Sequence, residues 1–211
     1  DLVRSRGLGD VYKRQAYVFV RSGTTWTQEA YLKASNTEAF DNFGSAVSIS
    51  GDTVVVGALV EDSNSTGVNG NQADNSASES GAAYVFLRNG TTWTQQAYLK
   101  PAAVGTTQER DGFGFSVAIS GDTVAVGAPG EDSSTTGTVP NENGVVTGAV
   151  YVFVRSGGVG TQQAFLKAEN NSPGGFGESV AMSGDTIVVG KPRDFLPGSS
   201  GAVYVFVRSA G

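Results

Sequence analysis

Between positions 43 and 100 four short apolar runs alternate with polar breaks: FGSAVSIS (43–50), TVVVGA (53–58), AAYVFL (82–87) and WTQQAYLK (93–100). Their length and their β-branched and aromatic residues predict four strands, denoted A to D. B and C are apolar on both faces: Val54, Val55 and Val56 are consecutive, and Tyr84 and Phe86 alternate with Val85 and Leu87. A sheet of this kind must be covered on both sides. In D the interleaved Thr94, Gln96 and Lys100 predict an edge strand facing solvent.

The pattern recurs. AYVFVRSGTTWTQEAYLK (16–33) returns as AYVFLRNGTTWTQQAYLK (83–100) and less closely as VYVFVRSGGVGTQQAFLK (150–167). The tyrosine before Val-Phe stands at 17, 84, 151 and 204, at spacings of 67, 67 and 53. A period of this size marks a tandem array of supersecondary units. An immunoglobulin-type sandwich needs more strands per unit length than the period supplies. Kelch and WD40 repeats have shorter periods, and no Trp-Asp dipeptide is present. The reading is an all-β chain of four-stranded antiparallel propeller blades, each sheet covered by its neighbours.

On this register residues 16–33 form a partial blade, 43–100 and 113–167 two full blades and 176–208 a second partial one, with two, four, four and three strands. The propeller in this segment is thus expected to be incomplete, with its remaining blades in the parent chain as its first partners. Residues 1–15, DLVRSRGLGDVYKRQ, match no part of the repeat. They resemble adapter-derived translation at the end of an assembled read; a native basic arm is the alternative. They lack the apolar core of a signal peptide.

Phe43-Gly44, Phe113-Gly114 and Phe176-Gly177 are each followed by Gly57-Ala58, Gly127-Ala128-Pro129 and Gly190-Lys191-Pro192. These pairs resemble the FG-GAP repeats of integrin α-subunit propellers and of bacterial surface proteins. The resemblance covers about 16–211, with the full Gly-Ala-Pro only in the second unit. It implies an extracellular or cell-surface, non-enzymatic propeller that binds proteins or glycans, often with calcium in the A–B loops. The alternatives are an accessory or substrate-binding propeller of a secreted hydrolase and a purely structural scaffold.

Ser-Gly-Asp-Thr recurs between A and B, placing Asp52, Asp122 and Asp185 where such a calcium loop would lie. Calcium takes about 6–8 oxygen ligands spread over a longer loop. Here only Gly and Asp remain between strands, a two-residue hairpin signal. No metal role is assigned to these aspartates, and any calcium would have to be held by the longer loops.

Those are the B–C inserts, 59–80, 129–147 and 192–200, of 22, 19 and 9 residues. With the D–A connections they open on one face of the disc, opposite the short A–B and C–D turns. Variable inserts on one face of a repeat array often form its binding surface. Their oxygen donors Glu61, Asp62 and Asp74, the equivalent Glu131 and Asp132, and the aligned Asp194 are the candidate ligand-binding residues. The choice is between a hard-cation or glycan site and a solvated loop rich in Asx turns. Trp26 and Trp93 could stack on a sugar, but as part of the repeated GTTWTQ they fit better as cover for the outer strand.

Composition narrows the chemistry. With no Cys and no His, thiol and Ser-His-Asp nucleophiles and His- or Cys-bound zinc are excluded within these 211 residues. Adjacent carboxylates such as Glu61 and Asp62 do not give the opposed geometry of two-carboxylate glycoside hydrolysis. The net charge is −6. Residues 1–15 contribute +2, which leaves −8 for the rest and disfavours a nucleic-acid partner. No apolar run is long enough for a membrane span.

Overall fold

A computed structural model describes residues 15–36, 38, 40–102, 108–133, 145–156, 159–169, 172–192 and 200–209. The non-repeat segment 1–14 and Asp194 lie outside the described residues. The strands form four antiparallel sheets. The first pairs β1 (Ala16–Ser22) with β2 (Thr25–Leu32). The second runs in the order β3 (Phe43–Ser50), β4 (Thr53–Ala58), β5 (Ala82–Asn89), β6 (Thr92–Leu99). The third repeats this with β7 (Ser116–Ser120), β8 (Thr123–Ala128), β9 (Ala149–Ser156) and β10 (Val159–Leu166). The fourth holds β11 (Ser179–Ser183), β12 (Thr186–Lys191) and β13 (Ala202–Val207). The expected count of two, four, four and three strands is found, as blades of an open stack with no helix among the described residues.

The apolar character of both faces has a direct use. Alternate residues of each C strand point to opposite sides of its sheet. Tyr84 and Phe86 of β5 pack against Ala16 and Val18 of the preceding sheet, whereas Ala83 and Val85 meet Tyr151 and Phe153 of the next. Val150 and Val152 of β9 in turn face Tyr204 and Phe206. The same joint, an aromatic face on an aliphatic one, therefore occurs three times.

The Phe-Gly pairs lock it. Phe43, Phe113 and Phe176 are buried and stand edge-on to the C-strand aromatics, 5.4 Å from Tyr84, Tyr151 and Tyr204. Gly114, at φ +92°, lies so close to the preceding sheet that an added Cβ would stand 2.2 Å from the Ala82 carbonyl oxygen. From the other side, a Cβ on Gly57 would stand 2.0 Å from the Gly114 oxygen. The second glycine pair is equivalent, with Gly127 at 2.1 Å from the Gly177 oxygen. Phe-Gly of one blade and Gly-Ala of the blade before it are thus two sides of one backbone contact.

The edge strand differs from its expected character. Thr92 and Thr94 of β6 are exposed, but Ala97, Tyr98, Leu99 and Lys100 are buried. Residues 67–69 of the B–C insert run along this edge. Gly67 N donates to Pro101 O (2.8 Å), Lys100 N to Gly67 O (2.9 Å) and Asn69 N to Tyr98 O (2.8 Å). The insert therefore covers the open hydrogen-bonding edge of the blade, and Lys100 lies in its interior instead of in solvent.

Candidate functional site

At the hairpin end, Ser50 pairs with Thr53, leaving Gly51 and Asp52 as a two-residue loop; Gly121-Asp122 and Gly184-Asp185 repeat it. The three glycines have φ of +56°, +57° and +54°, a region that favours glycine. The aspartates face arginines of the third strand. Arg155 Nη2 lies 2.6 Å from Asp122 Oδ1, Arg208 pairs with Asp185, and Arg88 Nη1 is 3.6 Å from Asp52 Oδ1. The backbone joins in: Arg88 N donates to Asp52 O at 2.8 Å.

Each arginine also reaches the preceding blade. Arg88 Nη2 donates to Glu29 Oε2 (2.6 Å), Arg155 Nη1 to Gln96 Oε1 (2.9 Å) and Arg208 Nη1 to Gln163 Oε1 (3.5 Å). Glu29, Gln96 and Gln163 are the residues skipped by the C–D register, where Val85 opposes Ala97 but Phe86 opposes Gln95. A bulge that re-aims one side chain explains their reach. Trp93 adds a bond from Nε1 to Glu29 Oε1 (3.0 Å) and packs on the joint between the sheets, whereas Trp26, expected to be a covering residue like it, is largely exposed. Sequence reasoning missed the arginines, although they stand four residues after each tyrosine, at 21, 88, 155 and 208.

At the opposite end the B–C inserts place their carboxylates in two different settings. Glu61 and Glu131 are buried. Glu61 Oε1 accepts from Tyr98 Oη (2.8 Å) and Asn36 Nδ2 (3.1 Å), and Oε2 from Lys100 Nζ (3.3 Å) and Ser63 N (3.2 Å). Lys100 Nζ completes its shell on Ser80 Oγ and Gly81 O, both at 2.7 Å. Burial lowers the Lys100 ammonium pKa, with Glu61 opposing, and burial beside Glu61 raises that of the Tyr98 hydroxyl. In the next blade Glu131 accepts from Tyr151 Oη and from Ser133 N (2.9 Å), while Lys167 Nζ donates to Ser133 O (2.6 Å). Burial brings the Lys167 pKa down to about 8. In the last blade Lys191 fills a buried polar position by donating to the Ser172 carbonyl (2.9 Å).

Asp62 and Asp74 are half-buried near the loop surface. Asp62 Oδ1 accepts from Glu79 N and Asp74 Oδ1 from Ser76 N, both at 2.8 Å. The Ser76 contacts hold the Asp74 carboxyl below its ordinary range. Asp132, also half-buried, has an enclosed Oδ1 with no hydrogen-bond partner among the described residues. Glu61 and Glu131 are thus directed into their blades, while Asp62, Asp74 and Asp132 stay with the loops. Among the described residues no three acidic side chains converge as a metal site.

Four stacked antiparallel sheets, with hairpins at one end and variable inserts at the other, define a β-propeller-type module. A family model described as FG-GAP repeat matches residues 26–86, 93–153 and 161–206, and the chain belongs to the FG-GAP repeat family. No curated protein matches it. FG-GAP propellers are generally non-catalytic modules, often involved in ligand binding and typically extracellular. No helix here is long and apolar enough to cross a membrane among the described residues.

Proposed function

We propose that this chain is a non-enzymatic extracellular adhesion or ligand-binding module that takes a protein or glycan on the face formed by its B–C inserts. One observation carries the reading: the longest insert is held in a defined shape while its asparagines stay outward. Its middle pairs along β6. Inside it Ser63 Oγ donates to Asn71 O (2.9 Å), and Ser65 N to Ser63 Oγ (3.0 Å). Asn64, Thr66, Asn69, Asn71 and Asn75 remain exposed. A pre-shaped polar surface loses little conformational entropy when it binds.

The test is a binding screen of the 211-residue chain against immobilised glycans and extracellular-matrix proteins, followed by substitution on the two ends. Asn64→Ala, Asn71→Ala and Asn75→Ala should weaken any captured ligand at least tenfold, and Thr24→Ala with Thr91→Ala at the hairpin end should not. Loss only from the hairpin end would move the site there, and no capture at all would leave a structural scaffold. Calcium would act through the same loops, and a thermal melt with and without chelator reads it directly.

A further inference from the structure

We propose that the chain binds a small planar heteroaromatic molecule carrying a hydrogen-bond acceptor, in a cleft between the second and third sheets at the place where the preceding joint holds Trp93. Trp93 stands opposite Arg88 in the pairing of β5 with β6. Gly160 stands opposite Arg155 in the pairing of β9 with β10. The two positions are equivalent, one filled by an indole and the other without a side chain.

The walls around the two positions match residue for residue. In the first joint Trp93 and Ala30 pack against the cluster that contains Leu32, Val54 and Phe86. In the second, Ala97, Leu99, Val124 and Phe153 line a cleft of about 30 Å³ beside Gly160. A Cβ on Gly160 would stand 3.8 Å from Val68 and 3.9 Å from Leu99, ordinary contact distances, so the place of the indole is open and not blocked. Apolar walls make it a poor host for water. A flat ring can seat its edge there and lie across the mouth, as the half-buried Trp93 does in its own joint. Apolar walls with a few convergent polar groups are the usual make-up of a small-molecule site.

The polar group at the mouth decides which ring fits. In the first joint Glu29 accepts twice: Oε2 takes Arg88 Nη2 (2.6 Å) and Oε1 takes Trp93 Nε1 (3.0 Å). Gln96 holds the same bulge position in the second joint, and its Oε1 accepts from Arg155 Nη1 (2.9 Å). A guanidinium only donates, so the amide oxygen is fixed on the arginine and the Nε2 donor takes the place of Glu29 Oε1. An indole N–H in the cleft would meet donor with donor. A ring nitrogen completes the pairing, so the site selects a quinoline-like acceptor over an indole-like donor.

Titration of the full chain with quinoline and with indole, followed by amide NMR shifts, tests this. Quinoline should bind with a Kd of about 1 mM or tighter and shift the Gly160 and Phe153 amides, and indole should bind at least about tenfold more weakly. Gln96→Glu, which turns an acceptor back toward the cleft, should reverse that order. Gly160→Trp should abolish quinoline binding, and Gly160→Met provides a second variant should the first lack a native urea transition. No saturable shift at the cleft would overturn the proposal. Binding that survives a side chain at position 160 in a natively folded variant, or an order of affinity unchanged by Gln96→Glu, would overturn it equally.

Discussion

Gly57 and Gly114 meet backbone to backbone across two blades: a Cβ on Gly57 would stand 2.0 Å from the Gly114 carbonyl oxygen. The Phe-Gly and Gly-Ala elements of the repeat are tied together by this contact. Side chains at either position would hold the sheets apart and withdraw Phe113 from the aromatic pair it forms with Tyr151.

Gly114→Ala is expected to cost at least about 3 kcal/mol, because φ +92° is strained for alanine and the Ala82 oxygen blocks its Cβ. Gly121→Ala, at φ +57° with no atom within 4 Å of the added carbon, should cost only about 1 kcal/mol. Urea denaturation of both variants measures the difference. Equal costs would remove the contact as the reason for the motif.

Lys100→Ala should destabilise the chain by about 3–5 kcal/mol, since it strands the buried Glu61 carboxylate without its cation. Lys100→Met combined with Glu61→Gln should recover most of that loss by removing both charges at once. Thermal melts of the single and double variants decide it, and a double variant as unstable as the single one would refute the pairing.

Gln96→Glu converts the second clamp to the chemistry of the first, where Arg88 meets Glu29 at 2.6 Å. The partly exposed site limits the gain to about 0.3–1 kcal/mol at low ionic strength. In 1 M salt the gain should vanish. A stabilisation independent of salt would point away from the ion pair with Arg155.

Asp41 titrates abnormally: burial, with Glu61, Glu38 and Asp62 nearby, raises its carboxyl to about 6 against the bond it accepts from Glu38 N (3.0 Å). A folded-state value above the unfolded one means that the folded protein holds its proton longer. The associated stability is full below about pH 4 and is lost as pH rises through 6. Asp41→Asn keeps the neutral form, so its stability relative to the native chain should improve by about 1–2 kcal/mol between pH 4 and pH 7. Urea midpoints across that range are the measurement, and a constant difference would exclude titration of Asp41.

The strands and blade register were legible because β-branched and aromatic runs return in phase with the tyrosines. The hairpin aspartates were legible as turns for a steric reason, since two residues between paired strands leave no room for anything else. Lys100 was not legible: interleaved polar residues read as a wet edge, and its burial depends on Glu61, 39 residues earlier. Glu61 and Glu131 lie in polar inserts that look solvated throughout, and only the paired fold turns their carboxylates inward. The bulge at Gln96 escapes periodicity altogether, because it exists only in the pairing of two strands.

The B–C insert shortens from 22 residues to 9 along the array, yet the Phe-Gly phenylalanine stays 5.4 Å from its tyrosine in all three blades that carry it. Length along the chain and position in space are uncoupled at that one corner. New sequence can therefore be written there wherever the insert does not carry Glu61, Ser80 and the strip 67–69 that close the blade edge, while the joints between sheets stay the same.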